Sequence, residues 1–307
     1  MSQLAPTTAA AELGSDQSRD KITHPLVEFW YFFRMNRGAV IGLAIICFFM
    51  IVALFAPFIS PHDPTNIYPD KYLLKPSWVA GGDPTFWLGT DDVGRDLLSR
   101  LAYGARVSMG IGFLVVILSL SIGTFLGLIS GFFGGILDRA IMRSTDILMS
   151  LPSILLAIVV VSILGPSLIN TVLAVSIVTI PSFVRLVRSS VQSERVKQYV
   201  IASRCYGASP LRLIFVNILP NCMAPLIVQG TLGFSDGILN AAALGFLGLG
   251  TQPPTPEWGT MLADSRAFFE SAPWLVTLPG LCILVVVLGF NLLGDGLRDA
   301  FDPRLRR

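Results

Sequence analysis

Charged residues in this 307-residue chain fall in short stretches, and the intervals between them are apolar and long. No Asp, Glu, Lys or Arg occurs at 38–61, 107–137, 147–184, 213–235, 237–256 or 271–294. About 20 apolar residues cross the hydrocarbon of a bilayer as a helix, so these intervals predict membrane spans. The first two lie at 38–59 and 107–133. The interval after Asp146 is too long for one helix, and Gly165, Pro166 and Ser167 supply turn chemistry near its middle, which splits it into spans at 147–164 and 168–184. Asn217, Pro220, Asn221 and Pro225 crowd the start of the next interval and argue against hydrocarbon there. A single span at about 223–249 follows, and the last covers 274–293, with Trp274 where an interfacial ring would sit. The expected fold class is an all-α integral membrane protein with about six transmembrane helices.

Composition agrees. Hydrophobic residues make up 53% and charged residues 14% of the chain, against about 25% charge in soluble domains. That excludes an ordinary soluble domain. The net charge of +2 gives no electrostatic pointer to nucleic acid. With the amino terminus inside, most of the 22 basic residues fall on the cytoplasmic side of the six-span arrangement, as the positive-inside rule requires. The main contrary signal is the 60–106 loop, which holds five basic residues but also six acids. Cytoplasmic tails at 1–37 and 296–307 then flank the spans.

Catalytic and metal chemistry have little to stand on. The four cysteines show no CxxC spacing, and the two histidines, His24 and His62, are remote from one another. None of the four lysines follows a glycine-rich phosphate loop, so any ATP driving this protein must be hydrolysed by another chain.

The loops carry more information. The cytoplasmic loop at 185–220 predicts two short helices. The first, at about 193–206, is stopped by Gly207, which takes the left-handed C′ conformation without steric cost. The second starts at Ser209 as N-cap with Pro210 at the first helical position. Such a helix pair either rests on the membrane surface or docks a partner. On the other side, Thr90 can cap a helix with Asp91 and Asp92 in its first turn. Its apolar positions Val93, Leu97, Leu98, Leu101, Ala102 and Ala105 oppose Arg95, Asp96 and Arg100, the pattern of a helix lying at the bilayer surface, with ligand binding by its polar face as the alternative.

Within the spans, Gly123, Gly127, Gly131 and Gly135 recur every fourth residue and predict close helix packing. Pro152, Pro181 and Pro279 are candidate kinks. Asp236 is the one ionisable residue well inside a span. A charge there must face protein or water, so Asp236 and nearby Asn240 are candidates for a translocation path, with a hydrogen bond to a neighbouring helix as the alternative.

Two segments, LGTDDVGRDLLSRLAYGARVS at 88–108 and AALGFLGLGTQPPTPEWGTML at 242–262, bring a family into view. The chain resembles the membrane permease subunits of bacterial ABC importers for dipeptides and oligopeptides, most closely the C-type permease of the dipeptide system. The likeness runs from about Val27 to Asp302. The family's cytoplasmic signature maps onto Ile201, Ala202, Ser203, Gly207, Ile218, Leu219 and Pro220, with Ile201 in place of its glutamate and Ser203 in place of its second alanine.

The resemblance implies a type I importer permease fold, with a transmembrane core at 103–295 and an extra first span and outer loop at 38–102 before it, and no cofactor in this chain. It implies that the 185–220 loop couples to two ATP-binding subunits carrying ATP and Mg. It also implies a second permease subunit in a heterodimer, a periplasmic substrate-binding protein, a peptide substrate, and a site in the bacterial inner membrane among lipid. Permeases of nickel or small-solute importers are similar and remain an alternative. A proton-driven carrier with Asp236 as relay would need inverted repeats, which are not seen. A purely structural anchor leaves the capped helix pair unexplained.

Overall fold

The computed structural model describes residues 25–301. Its helices are α1 (Pro25–Met35), α2 (Arg37–Leu54), α3 (Ala56–Ile59), α4 (Leu97–Phe133), α5 (Gly135–Met149) and α6 (Ser153–Leu164). They continue as α7 (Leu168–Glu194), α8 (Gln198–Cys205), α9 (Pro210–Arg212), α10 (Met223–Phe246), α11 (Trp258–Ser265) and α12 (Trp274–Phe301). Short π and 3-10 stretches join α9 to α10, so Pro210–Phe246 runs on as one helical rod of 37 residues. Among the described residues five helices are long and apolar enough to cross a membrane, and α5 with α6 adds a sixth as a pair bent by 92°.

Local chemistry sets the boundaries. Asn36, Asp96 and Ser167 cap α2, α4 and α7, their side-chain oxygens accepting from Ala39 N, Ser99 N and Asn170 N. The span expected at 147–164 is broken at Ser150–Leu151–Pro152, since proline has no N–H to donate and its ring clashes with the preceding turn. Pro181 and Pro279, by contrast, lie inside continuous helices.

Four expectations need correction. Thr90 caps no helix. Its hydroxyl is taken up by Leu74 N at 3.0 Å and by Lys71 O, while Asp91 Oδ1 accepts from Val93 N and Arg95 N, closing a turn around Gly94 at φ +87°. The helix therefore begins at Leu97. Nor is its polar side wet: Arg95, Asp96 and Arg100 are buried where the 60–96 segment meets α4, with Arg95 Nε 2.6 Å and Arg100 Nε 3.4 Å from Asp91 Oδ2. Third, the helix expected at 193–206 is the end of α7 plus the shorter α8. The arginines that follow the expected span end at Val184 lie within α7 and bind α5, Arg188 to Asp138 at 2.5 and 2.7 Å and Arg185 to Asp146 at 2.6 Å.

Finally, the expected amino-terminal tail contains α1. Its Phe33 is buried, its Phe29 ring lies 4.9 Å from Phe301, and Asn36 Nδ2 donates to Asp299 at 2.9 Å, all against the end of α12. The remainder of both tails, 1–24 and 302–307, lies outside the described residues.

The bundle has two distinct ends. The loop end holds the ordered 60–96 segment, α11 and the start of α4, over a core of Phe49, Leu97, Leu101, Met109, Trp258 and Leu275. The elbow end holds α8 and α9 over Leu128, Val187, Val191, Val200, Ile214 and Ile218. Between them α4 crosses α7 closely. A Cβ on Gly127 would stand 2.6 Å from Val187 Cβ and one on Gly131 2.8 Å from Val191 Cβ, and Gly123 is pressed likewise against Phe183. Gly135 departs from this row: it opens α5 at φ +62° and faces open space.

Candidate functional site

The elbow is built by two turns of chain chemistry. Gly207, at φ +81°, ends α8, with Gly207 N bonded to Arg204 O at 3.0 Å and Ala208 N to Ser203 O at 3.1 Å. Two residues later Ser209 caps α9, its Oγ accepting from Arg212 N at 3.4 Å. The signature positions divide between two faces. Ile201, Ala202, Gly207 and Pro220 are exposed, whereas Ile218 is fully buried in the elbow core beside half-buried Leu219. Ser203 is held inward by Asn217 Nδ2 at 3.0 Å.

Tyr206, Val196, Leu211 and Ile201 present an apolar surface around Gly207. Beside them a groove of about 740 Å³ runs between Phe132, Arg195, Val200, Arg204 and Leu213.

A polar network that the sequence did not single out fastens this elbow. Glu194, at the last turn of α7, bonds Lys197 Nζ at 2.5 Å and the Tyr199 hydroxyl, and Asn221 Nδ2 reaches the same hydroxyl at 3.1 Å. The signal was available as an acid ending an apolar helix with a lysine three residues on. Asp138 was similarly hidden, since its partner Arg188 is 50 residues away.

Asp236 and Asn240 lie one turn apart on α10, both in the Pro210–Phe246 rod that begins at the elbow. Asn240 Nδ2 donates to the backbone oxygen of Asp236 at 2.8 Å. The structure does not bring them to the elbow; the rod connects the two places along the chain.

At the loop end, segments 88–108 and 242–262 pack directly on each other. Trp258 is fully buried, with its Nε1 donating to Leu101 O and its backbone N to Ser108 Oγ, each at 3.2 Å. A Cβ on Gly104 would come 2.8 Å from the indole, and one on Gly259 2.5 Å from Ala242 O. Glu257 caps α11 with both oxygens, 2.8 Å from Gly259 N and 3.0 Å from Thr260 N. Burial pushes its carboxyl up to about 7 against the opposing pull of those N–H groups. The cap position before Trp258, preceded by proline, was the sequence signal for it.

With these contacts in place, the comparisons fall into register. The family described as binding-protein-dependent transport system inner membrane component matches residues 123–307, and the N-terminal TM domain of oligopeptide transport permease C matches 24–76. The chain belongs to this permease family.

A dipeptide transport system permease protein of Haemophilus influenzae is 56% identical over 283 residues, 92% of this chain and 96% of that one. A di/tripeptide transport system permease protein of Pseudomonas aeruginosa is 57% identical over 282 residues, 92% and 93% of the two chains. A glutathione transport system permease protein of Pectobacterium atrosepticum is 40% identical over 289 residues, 94% of each. The fold is also that of a chain in the inward-facing MetNI methionine ABC transporter, at TM-score 0.54 and 18% identity over 66% of this chain and 96% of that one. The permease is thus a multi-pass inner-membrane transport component with the ABC importer fold, and not an enzyme.

Proposed function

We propose that this permease forms one half of the path by which an ATP-driven importer brings dipeptides or short oligopeptides into a bacterial cell. The observation that carries the coupling role is the elbow: a capped, glycine-turned projection with apolar side chains exposed around Gly207. The peptide cargo is supported by relatives named for dipeptides, di/tripeptides and glutathione.

In this mechanism a second permease completes the path as a heterodimer. Two ATP-binding subunits, holding ATP and Mg, each grip one permease elbow, and a periplasmic binding protein delivers the peptide. The elbow, the amino terminus and the carboxyl terminus then face the cytoplasm. Signature positions Ile201, Ala202 and Gly207 meet the ATPase, while Ser203, Ile218, Leu219 and Pro220 hold the elbow's shape.

Movement of the elbow reaches the membrane by two routes. Glu194, Lys197 and Tyr199 tie it to α7, which Arg188 and Asp138 clamp to α5. The Pro210–Phe246 rod carries displacement straight to Asp236. Ile201 stands where the family's glutamate would, so this docking face is apolar there and lacks that acid. ATP closure then selects one of two bundle arrangements through differential contacts with the elbow.

The test is purification of the chain with its genomic neighbours in nanodiscs. A second permease and two ATPase subunits should remain bound, and peptide-loaded binding protein should raise ATP hydrolysis. Gly207→Val should retain assembly yet lose that stimulation. A stable, transport-active chain without any ATPase would refute the proposal.

A further inference from the structure

Asp236 stands on the outward face of α10 at mid-height of the bundle. Its neighbours on the chain fix that height. Gly237 lies against Val115, halfway along α4, and Ser235 Oγ is 3.3 Å from Val287 O, halfway along α12. Phe234 stacks on Phe290 with ring centres 3.8 Å apart. Gly233, Phe234, Ser235, Gly237 and Ile238 are thereby buried, and Asp236 and Leu239 are left exposed on the subunit surface.

A carboxylate at this depth does not face lipid, so this surface meets water or protein in the assembled transporter. Among the described residues no cation reaches it, because the ion pairs lie at the loop end or the elbow end. Gln229 and Asn240, seven residues before and four after, share its side of the helix. Asn240 donates one amide N–H to the Asp236 backbone oxygen, which fixes the side chain beside Asp236 with its amide oxygen as an acceptor one turn along. The exposed Leu239 adds an apolar wall.

We propose that Asp236, with Asn240 beside it, is a transient binding site for the free ammonium group of the peptide cargo as it passes through the membrane. This rests on the peptide-importer function proposed above. The chemistry favours an ammonium over a guanidinium from the partner permease. An ammonium has three donors and is satisfied by two carboxylate oxygens and one amide oxygen, whereas a guanidinium has five donors in a planar fork. One carboxylate, flanked only by uncharged side chains on its face of α10, matches a cargo that carries one ammonium group and short side chains.

The experiment uses the complete transporter in proteoliposomes with labelled dialanine. A membrane-permeable carbodiimide added during turnover should join the Asp236 carboxyl to the dialanine amine, read as an amide adduct by mass spectrometry. Asp236→Asn should lose the adduct and lower uptake per ATP hydrolysed about tenfold, and Asp236→Glu should recover both in part. Active wild-type uptake without an adduct at Asp236, or with Asp236 joined instead to a lysine of the partner permease, would overturn the site. Equal uptake per ATP in wild type and Asp236→Asn would also overturn it. If wild-type transporter hydrolyses ATP but takes up no dialanine, the peptide-importer function fails first and the site falls with it.

Discussion

Glycine serves opposite purposes at the two ends of this permease. At the loop end Gly104, Gly245 and Gly259 are small because something already fills the space a side chain would need: the Trp258 indole, the Glu257 carboxylate and the Ala242 backbone. At the elbow Gly207 has nothing within reach of a Cβ and is needed only for its φ of +81°. The first end is a close-packed knot in which volume decides stability. The second is an exposed projection whose direction is set by one backbone conformation. A rigid knot paired with an exposed elbow is the division of labour that the proposed coupling requires.

Substitutions that break the contrast should differ in what they damage. Trp258→Ala empties the centre of the knot and removes the indole hydrogen bond to Leu101 O, and a loss of about 3–5 kcal/mol is expected for a buried tryptophan. Thermal unfolding of the purified complex should show it as a large fall in midpoint, with little assembled protein recovered. Gly259→Val drives a Cβ to 2.5 Å from a backbone oxygen that cannot rotate away. Overpacking of this kind costs about 1–3 kcal/mol, measurable in the same assay, and Gly259→Ala should be harmful too.

The knot should also respond to pH. Glu257 has a folded-state pKa of about 7 against an ordinary 4.5. Over that interval the folded state holds more protons than the unfolded one, so stability declines as pH rises from about 4.5 to about 7. Chaperone-free unfolding measured at several pH values should follow that slope, and Glu257→Gln should flatten it. A slope unchanged in the variant would assign the pH response to another group.

Smaller effects belong to the elbow end. Arg188→Ala breaks the two-point contact with Asp138, a partly exposed pair for which about 1 kcal/mol is reasonable. A double-mutant cycle with Asp138→Ala isolates the coupling, and additivity would show that the clamp contributes nothing. Gly207→Ala should cost a similar amount in stability, about 1 kcal/mol for an alanine held at positive φ. Its effect should appear instead in transport per ATP hydrolysed. If Gly207→Ala unfolds the complex while Gly259→Val leaves it intact, the contrast between the ends is reversed.

Several features were legible in the residues alone. Apolar intervals gave five of the six spans, Gly165–Pro166–Ser167 gave the break between α6 and α7, and Gly207 with Ser209 and Pro210 gave the elbow's turn and restart. Others misled. Thr90 followed by two aspartates has the composition of a helix start, but Gly94 favoured a closed turn stabilised by Asp91. Arg185 and Arg188 resembled the end of a span until the structure supplied Asp146 and Asp138 from α5. The aromatic run at Phe29–Phe33 counted as tail because its packing surface, the end of α12, lies some 260 residues away in sequence.

Hydrophobic periodicity and turn chemistry are local, and the sequence by itself therefore determined which stretches enter the membrane, where helices stop and where a projection is built. Partnership is not local. Only the tertiary structure decided that Trp258 closes on Leu101 and Ser108, that Glu194 anchors the elbow, and that Asp236 faces out of the subunit at mid-height. Each depends on which helix face meets which neighbour, and that is fixed by the summed packing of the whole bundle, not by any one segment.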